Sequence, residues 1–236
     1  MPKFSIDNAP SRRRVLTRWS TTALAALLLA SPTLSFAAAE APLPSPKPWL
    51  KNKVEEARKL SERKVEPGTP AHDALKKEFK ALIDDMLDWD TMIRKSLGRS
   101  WKDLTPKQQG EFSALLRKLI ESSYQSKMRM ASKSKKAERP KKVSIKWGEP
   151  KMKRKRASIE AKVKADRNKT VLGFELVWNG KRWWVYDVAI DDASTVRTYR
   201  GQFRKVIRED GFDDLMRRMR AKLDDIEAGR ADIDQP

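Results

Sequence analysis

The sequence predicts an α+β fold in which a helical layer packs on a curved antiparallel sheet of about four strands. Apolar residues recur at helical spacing up to about residue 130, and from Val143 they recur at about every second residue. The pair Asn179-Gly180 indicates a tight hairpin between two of these strands. Helical spacing returns after Ser194. This order of helices, strands and helices is typical of an α+β domain.

Capping residues mark the predicted helices. A first helix is expected from Trp49 to about Lys64, and Thr69 is placed to cap the second. A further start is expected near Asp88. Thr105, with Pro106 after it and Gln108 three residues on, forms a capping box for the longest helix. The last helical stretch is expected to break at Gly211.

The predicted strands cover residues 143–147, 157–165, 170–178 and 182–190. A two-residue turn at Asn179-Gly180 would pair Leu176 with Trp183 and Phe174 with Val185. One face of this hairpin then collects the apolar residues Leu172, Phe174, Leu176, Trp178, Trp183 and Val185. The same pairing places Asp187 on that face, where we expect it to cap a neighbouring helix or to pair with an arginine such as Arg200, with contact to a ligand as the alternative.

Composition excludes several kinds of chemistry. The chain has 236 residues, no cysteine and one histidine, so thiol nucleophiles and thiolate metal sites are absent. His72 lies beside a predicted helix start and is expected to be exposed, which makes it a poor catalytic base. No phosphate-binding glycine loop or hydrolase motif occurs. We therefore predict no enzyme, no catalytic residue, no metal and no cofactor.

The paired acids Asp84-Asp85, Asp191-Asp192, Asp213-Asp214 and Asp224-Asp225 could suggest a catalytic or metal site. Adjacent helical residues point about 100° apart, so the pairs on helices are expected to be solvated surface.

The N-terminal 39 residues are typical of a cleaved export signal. Four arginines precede a short apolar run at residues 23–30, and Ala37-Ala38-Ala39 supplies the small residues of a cleavage site. Both the Sec and the twin-arginine routes fit this pattern. We expect residues 40–48 to be a flexible proline-rich lead, residues 49–227 a single domain, and residues 228–236 a frayed tail.

Positive charge is concentrated in one part of the chain. The formal net charge is +20, and residues 127–169 alone contain 18 Lys and Arg against four acids. An exported protein meets no nucleic acid, so anionic lipid or an acidic protein is the expected partner. The sharpest cluster is either a solvated loop between strands or a docking patch for a membrane or a partner. Its basic members are Lys151, Lys153, Arg154, Lys155 and Arg156.

A series of short motifs resembles the MlaC family of phospholipid-binding proteins, also called the toluene-tolerance family. In the first half these are Asp88-Trp89-Asp90-Thr91-Met92, Leu97-Gly98, Trp101, Leu104-Thr105-Pro106, Gln108, Phe112 and Tyr124. In the second half they are Trp184-Val185-Tyr186-Asp187-Val188, Ser194, Tyr199-Arg200, Gln202-Phe203, Gly211-Phe212 and Leu215. Their order holds over about residues 50–223. Three features depart from the family pattern: Trp89 where the family usually has Phe, Asp191-Asp192 where an acid-Gly pair is common, and an unusually lysine-rich strand region.

The resemblance implies an NTF2-like, MlaC-like fold with an apolar pocket between its layers. It also implies a monomeric periplasmic carrier that moves glycerophospholipids between an outer-membrane lipoprotein complex and an inner-membrane ABC transporter with an MCE-domain subunit, touching anionic membrane transiently. The motif residues expected to hold this fold are Trp101, Thr105, Pro106, Tyr186, Asp187 and Arg200.

A soluble carrier must bury both acyl chains, because two chains of roughly 16 carbons cost on the order of 25 kcal/mol in water at about 0.8 kcal/mol per CH₂. The pocket residues predicted from the sheet are Leu172, Phe174, Leu176, Trp183 and Val185. Those predicted from the helices are Phe112, Leu116, Ile120, Tyr124, Tyr199 and Phe203. Each of these residues could equally be ordinary core.

Three alternatives remain open at this point. A pocket too short for two tails would favour a hopanoid or another polycyclic lipid. A filled core would favour a basic periplasmic adaptor of an ABC transporter that encloses no ligand. An exported enzyme would need a buried polar constellation, which the sequence does not show.

Overall fold

The computed structural model describes residues 42–63, 65–66, 68–133, 143–166 and 168–230. The export signal predicted for residues 1–39 lies outside these ranges. The described helices are α1 (Lys47–Glu62), α2 (Pro70–Met86), α3 (Trp89–Leu97), α4 (Pro106–Lys133) and α5 (Thr195–Glu227), with a 3₁₀ helix at Gly98–Asp103. α5 is interrupted at Gly211, whose φ of 86° and ψ of 173° are not helical, as the sequence predicted. The described strands are β1 (Val143–Trp147), β2 (Lys151–Lys153), β3 (Arg156–Ala165), β4 (Asn168–Trp178), β5 (Trp183–Ile190) and β6 (Ala193–Ser194).

The predicted starts of α2, α3 and α4 are confirmed by their caps, whereas α1 begins at Lys47, two residues before the predicted Trp49, and has no side-chain cap. The backbone N–H of His72 donates to the Thr69 hydroxyl at 3.2 Å, and the Asp88 carboxylate caps α3. In the capping box, the Thr105 N–H donates to Gln108 Oε1 at 2.9 Å and the Gln108 N–H donates back to the Thr105 hydroxyl at 3.3 Å. Each bond satisfies a backbone donor that the first turn of a helix leaves free.

The expectation that His72 is exposed is wrong. Only 4% of His72 is exposed, and its Nδ1 accepts a hydrogen bond from the backbone N–H of Gly68 at 3.4 Å. Its ring turns back over the loop before α2, so it is buried although it lies in the first helical turn.

The described part of the proline-rich lead is packed, in contrast to the flexible tether expected there. The indole N–H of Trp183 donates to the carbonyl of Pro44 at 2.7 Å, Leu43 packs against the sheet core, and Pro46 is buried. Proline lacks a backbone donor but keeps its carbonyl free, and the carbonyl of Pro44 satisfies a buried indole. The lead also gives its last two residues, Lys47 and Pro48, to the first turn of α1, where proline is tolerated. Among the described residues, packing therefore already involves Leu43, Pro44 and Pro46, ahead of the predicted boundary at 49.

The sheet is antiparallel in the order β1-β3-β4-β5-β6, and β2 pairs with the part of the β3 edge that β1 leaves free. The α+β class and the four predicted strands are confirmed. The sequence did not predict β2 and β6, because strands of three and two residues are too short to show a period. The basic segment at Lys151–Lys153 is consequently an edge strand, where a loop was one of the expectations.

The predicted register of the β4–β5 hairpin is wrong by two residues. Trp178 faces Trp183 and Leu176 faces Val185, so the connection spans residues 179–182. The Asn179 side chain closes this longer loop by accepting from the backbone N–H groups at positions 181 and 182, each at 2.9 Å. Because strand side chains alternate with a period of two, the same residues still share the apolar face.

A β-bulge moves Asp187 off the apolar face on which the sequence placed it. The register shifts between Glu175 and Leu176, so Tyr186 is the extra residue and Asp187 lies opposite Glu175. Asp187 caps α5, which was one of its two expected roles. It does not pair with Arg200, whose Nε donates to the backbone carbonyl of Lys95 at 2.7 Å.

Two main cores organise the described residues. The sheet core joins the apolar face of β3, β4 and β5 to Leu50 of α1, Met86 of α2 and Met92 of α3. The helical core lies among α3, α4 and α5. Trp89 and Ile120 pack against both cores, so they join the layers.

Candidate functional site

The candidate site is the apolar face of the sheet. The strand registers place its members on one side: Val143, Ile145, Trp147, Ala157, Ile159, Ala161, Val163, Ala165, Leu172, Phe174, Leu176, Trp178, Trp183, Val185, Val188 and Ile190. Strand alternation explains this, because polar residues occupy most of the intervening positions. We call this surface the apolar face.

Burial along the apolar face is graded from one end to the other. Ile159, Leu176 and Val185 are 0–1% exposed at the end nearest the β4–β5 turn. Toward the other end Leu172 is half-buried, Val143 is 39% exposed and Ile190 is 55% exposed. We call this second end the open end. The face therefore continues beyond the packed core as apolar surface that a ligand could cover.

Aromatic rings line the packed part of the face. The rings of Trp147 and Phe174 stack with their centroids 6.0 Å apart, and those of Trp178 and Trp183 meet edge to face at 5.4 Å. Such pairs fix the side-chain orientations of their strands. Trp147 and Ile159 were not among the predicted site residues, although the alternation within their own strands already indicated the apolar side.

The predicted pocket residues fall into two groups. All five from the sheet lie on the apolar face and in or against the sheet core. Four of the six from the helices belong to the helical core: Phe112, Leu116, Tyr199 and Phe203. The rings of Phe112 and Phe203 meet edge to face at 5.5 Å, and Tyr199 stacks on Phe203 at 5.3 Å. These four are therefore packed against other helices.

The remaining two helical residues follow Leu116 along α4. Ile120 packs against the sheet core as well as the helical core. The Tyr124 ring lies 6.4 Å from that of Phe79, and burial raises the pKa of its hydroxyl. Of the six pocket residues predicted from the helices, Ile120 is thus the one that packs directly against the sheet core.

A network of ion pairs ties α1, α2 and α4 to the start of β5, so the pair Asp84-Asp85 is more than the solvated surface expected from the sequence. Asp84 accepts from the indole N–H of Trp89 at 2.9 Å and from Arg117 at 2.6 Å. Asp85 pairs with Lys53 at 2.9 Å and with Arg182 at 2.6 Å. The side chains of the two aspartates are 32% and 44% exposed.

These partners keep both carboxylates charged. Burial works against ionisation of Asp84, but the hydrogen bonds from Lys80 and Trp89 and the charge of Arg117 outweigh it, so its pKa is lowered. The hydrogen bond from Lys53 lowers the pKa of Asp85, against a smaller effect of burial and with further help from Arg182.

A second polar cluster surrounds the bulge. The ammonium of Lys95 lies 4.9 Å from the centre of the Tyr186 ring, and the Tyr186 hydroxyl donates to Glu175 at 3.2 Å. Burial lowers the pKa of Lys95, and the nearby charges of Arg156 and Arg200 lower it further. Burial, followed by the charge of Glu175, raises the pKa of Tyr186 to about 12. These contacts hold Tyr186 in place, and the hydrogen bond from Arg200 to the Lys95 carbonyl holds Arg200 beside Lys95.

The other motif residues are also structural. The guanidinium of Arg94 lies 5.7 Å from the centre of the Trp101 ring, and Gln109 Nε2 donates to the Trp101 carbonyl at 2.9 Å. Thr105 caps α4 and Pro106 begins it. They position the 3₁₀ helix and the start of α4.

The predicted basic patch is exposed on β2, on the turn that follows it and on the first residue of β3. All five of its basic residues are exposed, and Arg154 adopts a positive φ of 53° in the turn. Arg156 faces Val177 near the β4–β5 turn, so the patch lies at the packed end of the sheet. It is thus at the opposite end from the open end of the apolar face.

An open groove of about 480 Å³ lies between α1 and α2, apart from the apolar face. Leu60, Ala81 and Leu82 form its apolar lining, and charged side chains of both signs surround them. It does not coincide with the predicted pocket.

The described residues contain no cluster of three or more His, Cys, Asp or Glu side chains arranged to hold a metal ion. In the same part of the chain, no helix combines the length and apolar character needed to cross a bilayer.

Comparison with known proteins finds a matching family model and a similar solved structure. A family model described as MlaC protein matches residues 56–221. A similar solved structure is a phospholipid-binding protein from Ralstonia solanacearum in complex with a phospholipid. It has a TM-score of 0.62 and 17% identity, and the match covers 78% of this chain and 99% of that one. No curated protein matches the chain.

Proposed function

The chain belongs to the MlaC family, and from this premise we propose that it is a periplasmic carrier that holds a glycerophospholipid with both acyl chains between its sheet and its helices. The observation that carries the proposal is the apolar face, which is packed at one end and open at the other. The similar fold in Ralstonia solanacearum was solved with a phospholipid, which supports the same ligand class here.

The family is one of non-enzymatic lipid carriers, in agreement with the prediction that this chain is not an enzyme. A carrier needs no reacting groups, because its work is to shield apolar surface from water. At about 0.8 kcal/mol per CH₂, two acyl chains need a large apolar wall, and a strand face shared by several strands supplies one.

In this proposal the acyl chains lie against the open end of the apolar face. Leu172 and its half-buried neighbours Ile145 and Val163 contact the tails, and Phe174 and Leu176 form the packed floor beneath. The four predicted residues of the helical core pack α4 and α5 against each other and do not contact the tails. Ile120 and Tyr124 form the helical wall.

The same proposal includes a place in a transport system. The carrier exchanges phospholipid with an outer-membrane lipoprotein complex and with an inner-membrane ABC transporter that has an MCE-domain subunit. The basic patch on β2 supports docking to such partners, because its exposed cations can attract acidic surfaces from a distance.

The first experiment is native mass spectrometry of the mature protein purified without detergent, followed by extraction and identification of its lipid. We expect one two-tailed phospholipid per chain. A polycyclic lipid in its place would contradict the ligand class. An empty protein that cannot be loaded from liposomes would contradict the carrier itself.

A matched pair of variants locates the lipid. Leu172→Trp fills the open end and should lower the bound phospholipid to well under half of the wild-type amount. Ala114→Trp adds the same ring at an exposed position of α4 and should leave the bound lipid unchanged. Equal lipid content in the two folded variants would place the tails elsewhere.

A further inference from the structure

The outer face of the sheet, opposite the apolar face, carries a group of lysines near the open end. The strand registers align them across three strands. We call this group the lysine ladder, and its members are Lys146, Lys162, Lys164 and Lys169. All four side chains are exposed.

The ladder sets like charges directly opposite one another. Lys146 faces Lys162 across β1 and β3, and Lys164 faces Lys169 across β3 and β4. Like charges at directly opposed positions destabilise a sheet. An acidic residue in place of one lysine of each pair would remove this cost, so pairing within the sheet does not explain the arrangement.

The ladder lysines also differ from the lysines that are held in ion pairs. Some lysines elsewhere form ion pairs, as Lys53 does with Asp85 and Lys80 with Glu121, whereas other exposed lysines, such as Lys77, form none in the described residues. Within the ranges that the structure describes, no carboxylate pairs with any of the four ladder lysines. Their charges therefore face solvent together and are available to an anionic surface.

The position of the ladder links it to the candidate site. Lys164 lies between Val163 and Ala165, which belong to the apolar face, and Lys169 lies beside the start of the same face on β4. Glu160 separates the ladder from the basic patch at the packed end of β3. The ladder and the patch are therefore separate surfaces, and the ladder is the one at the open end.

We propose that the lysine ladder docks the protein on the anionic headgroups of a membrane, so that the open end of the apolar face is brought to the lipid surface. This proposal rests on the carrier function above, to which it adds the surface that meets the bilayer. Each Lys near an anionic membrane contributes an attraction that is lost within a Debye length, so docking is reversible and sensitive to salt.

The composition of the ladder favours a lipid surface over a protein. Protein interfaces are enriched in aromatic residues, Met and Arg and depleted in Lys. The ladder contains only Lys, and its neighbours on the outer face of β4 are Val171 and Gly173. A lysine ammonium is a compact, strongly hydrated charge on a flexible stem, which suits mobile headgroups better than a fixed protein partner.

The test is binding of the mature protein to vesicles of neutral phosphatidylcholine, with and without anionic phosphatidylglycerol, measured by co-sedimentation at low and high salt. One variant changes all four ladder lysines to Gln. The control variant removes the same charge from exposed helical positions: Lys77→Gln, Lys102→Gln, Lys107→Gln and Lys205→Gln. Circular dichroism and thermal melting establish that both variants are folded.

We expect wild type and the control to bind anionic vesicles to within about twofold of each other at low salt. The ladder variant should bind at least tenfold more weakly. Equal binding by the two variants would overturn the proposal, because net charge alone would then account for binding. Binding by wild type to an acidic protein but to no anionic vesicle would overturn it in favour of a protein partner.

Lipid content separates this proposal from the carrier function. The ladder variant, expressed in cells and analysed by native mass spectrometry, reports whether the pocket still holds lipid. Weak vesicle binding with lipid present supports docking by the ladder. An empty wild-type protein that still binds vesicles through the ladder contradicts the carrier function and leaves the docking surface in place.

Discussion

The carboxylate of Asp187, on β5, caps helix α5 by accepting the backbone N–H of Val196 at 3.0 Å. Its second oxygen accepts a hydrogen bond from the hydroxyl of Ser194. That hydroxyl in turn accepts a hydrogen bond from the backbone N–H of Arg197 at 3.0 Å. Asp187 and Ser194 are both buried. One acid thus joins the last long strand to the last helix, at the junction where the chain leaves the sheet.

Asp187→Ala should lower the free energy of unfolding by about 3 kcal/mol, because it removes a helix cap and leaves two buried donors without an acceptor. The measurement is urea unfolding followed by tryptophan fluorescence. Asp213→Ala, at an exposed position of α5, should change stability by less than about 0.5 kcal/mol. A loss below about 1 kcal/mol for Asp187→Ala would show that the cap is not structural.

The capping role of Asp187 could be predicted from the sequence, but its side of the sheet could not. A bulge adds one residue at Tyr186 and so reverses the face of every following residue until the register is restored. Nothing in the local sequence marks that insertion. The error in the predicted hairpin register has another cause. Asn179-Gly180 indicates a two-residue turn, but the Asn179 side chain stabilises a longer loop that also begins at these two residues.

The sheet side of the candidate site was predictable and the helical side was not. An error of two residues preserves strand alternation, so Leu172 and Phe174 were still assigned to the correct face. The spacing on α4 identifies the buried stripe that contains Phe112 and Ile120. The spacing does not show whether this stripe packs against the sheet core or the helical core, because both cores present apolar side chains to α4.

Gly98 ends α3 with φ 66° and ψ −127°, a conformation that side-chain-bearing residues avoid. A Cβ there would also lie 3.3 Å from Cδ of Arg200. Gly98→Ala should therefore cost about 2 kcal/mol or more of stability in urea unfolding. Gly110→Ala, in α4 with no atom within 4 Å of the added Cβ, should instead stabilise by about 0.5–1 kcal/mol. The same sign for both changes would contradict this reasoning.

Acid should destabilise the protein in part through Asp85. Its folded-state pKa is lowered by Lys53 and Arg182, so its contribution is present above the unfolded pKa of about 3.9 and is lost as pH falls through the folded value. Stability measured by urea unfolding should be nearly constant from pH 6 to about 5 and should fall below about 4. Asp85→Asn should reduce stability at pH 6 and flatten the acid decline, whereas Asp213→Asn should leave the profile unchanged. An identical acid decline in Asp85→Asn would exclude this group as a cause.

All three tyrosines have raised pKa values. Burial is the main cause for Tyr124, Tyr186 and Tyr199, and the value for Tyr186 reaches about 12. Their contribution to stability is complete below the unfolded pKa of about 10 and is lost as pH rises through the folded values. Absorbance at 295 nm should therefore show little tyrosinate at pH 10 in the native protein. The urea-unfolded chain should titrate near 10, and a native titration that coincides with it would contradict the burial of these rings.

Lys162→Glu should stabilise the sheet, because it turns the like-charge pair with Lys146 into an ion pair across β1 and β3. The expected gain is about 0.5–1 kcal/mol at low salt, measured by urea unfolding. It should shrink at high salt, since both side chains are exposed and their interaction is screened. Lys77→Glu, the same charge change on α2, lacks an opposed lysine on a neighbouring strand and should fall within about 0.5 kcal/mol of wild type. Equal effects from the two variants would mean that overall net charge, and not the cross-strand pair, sets the cost.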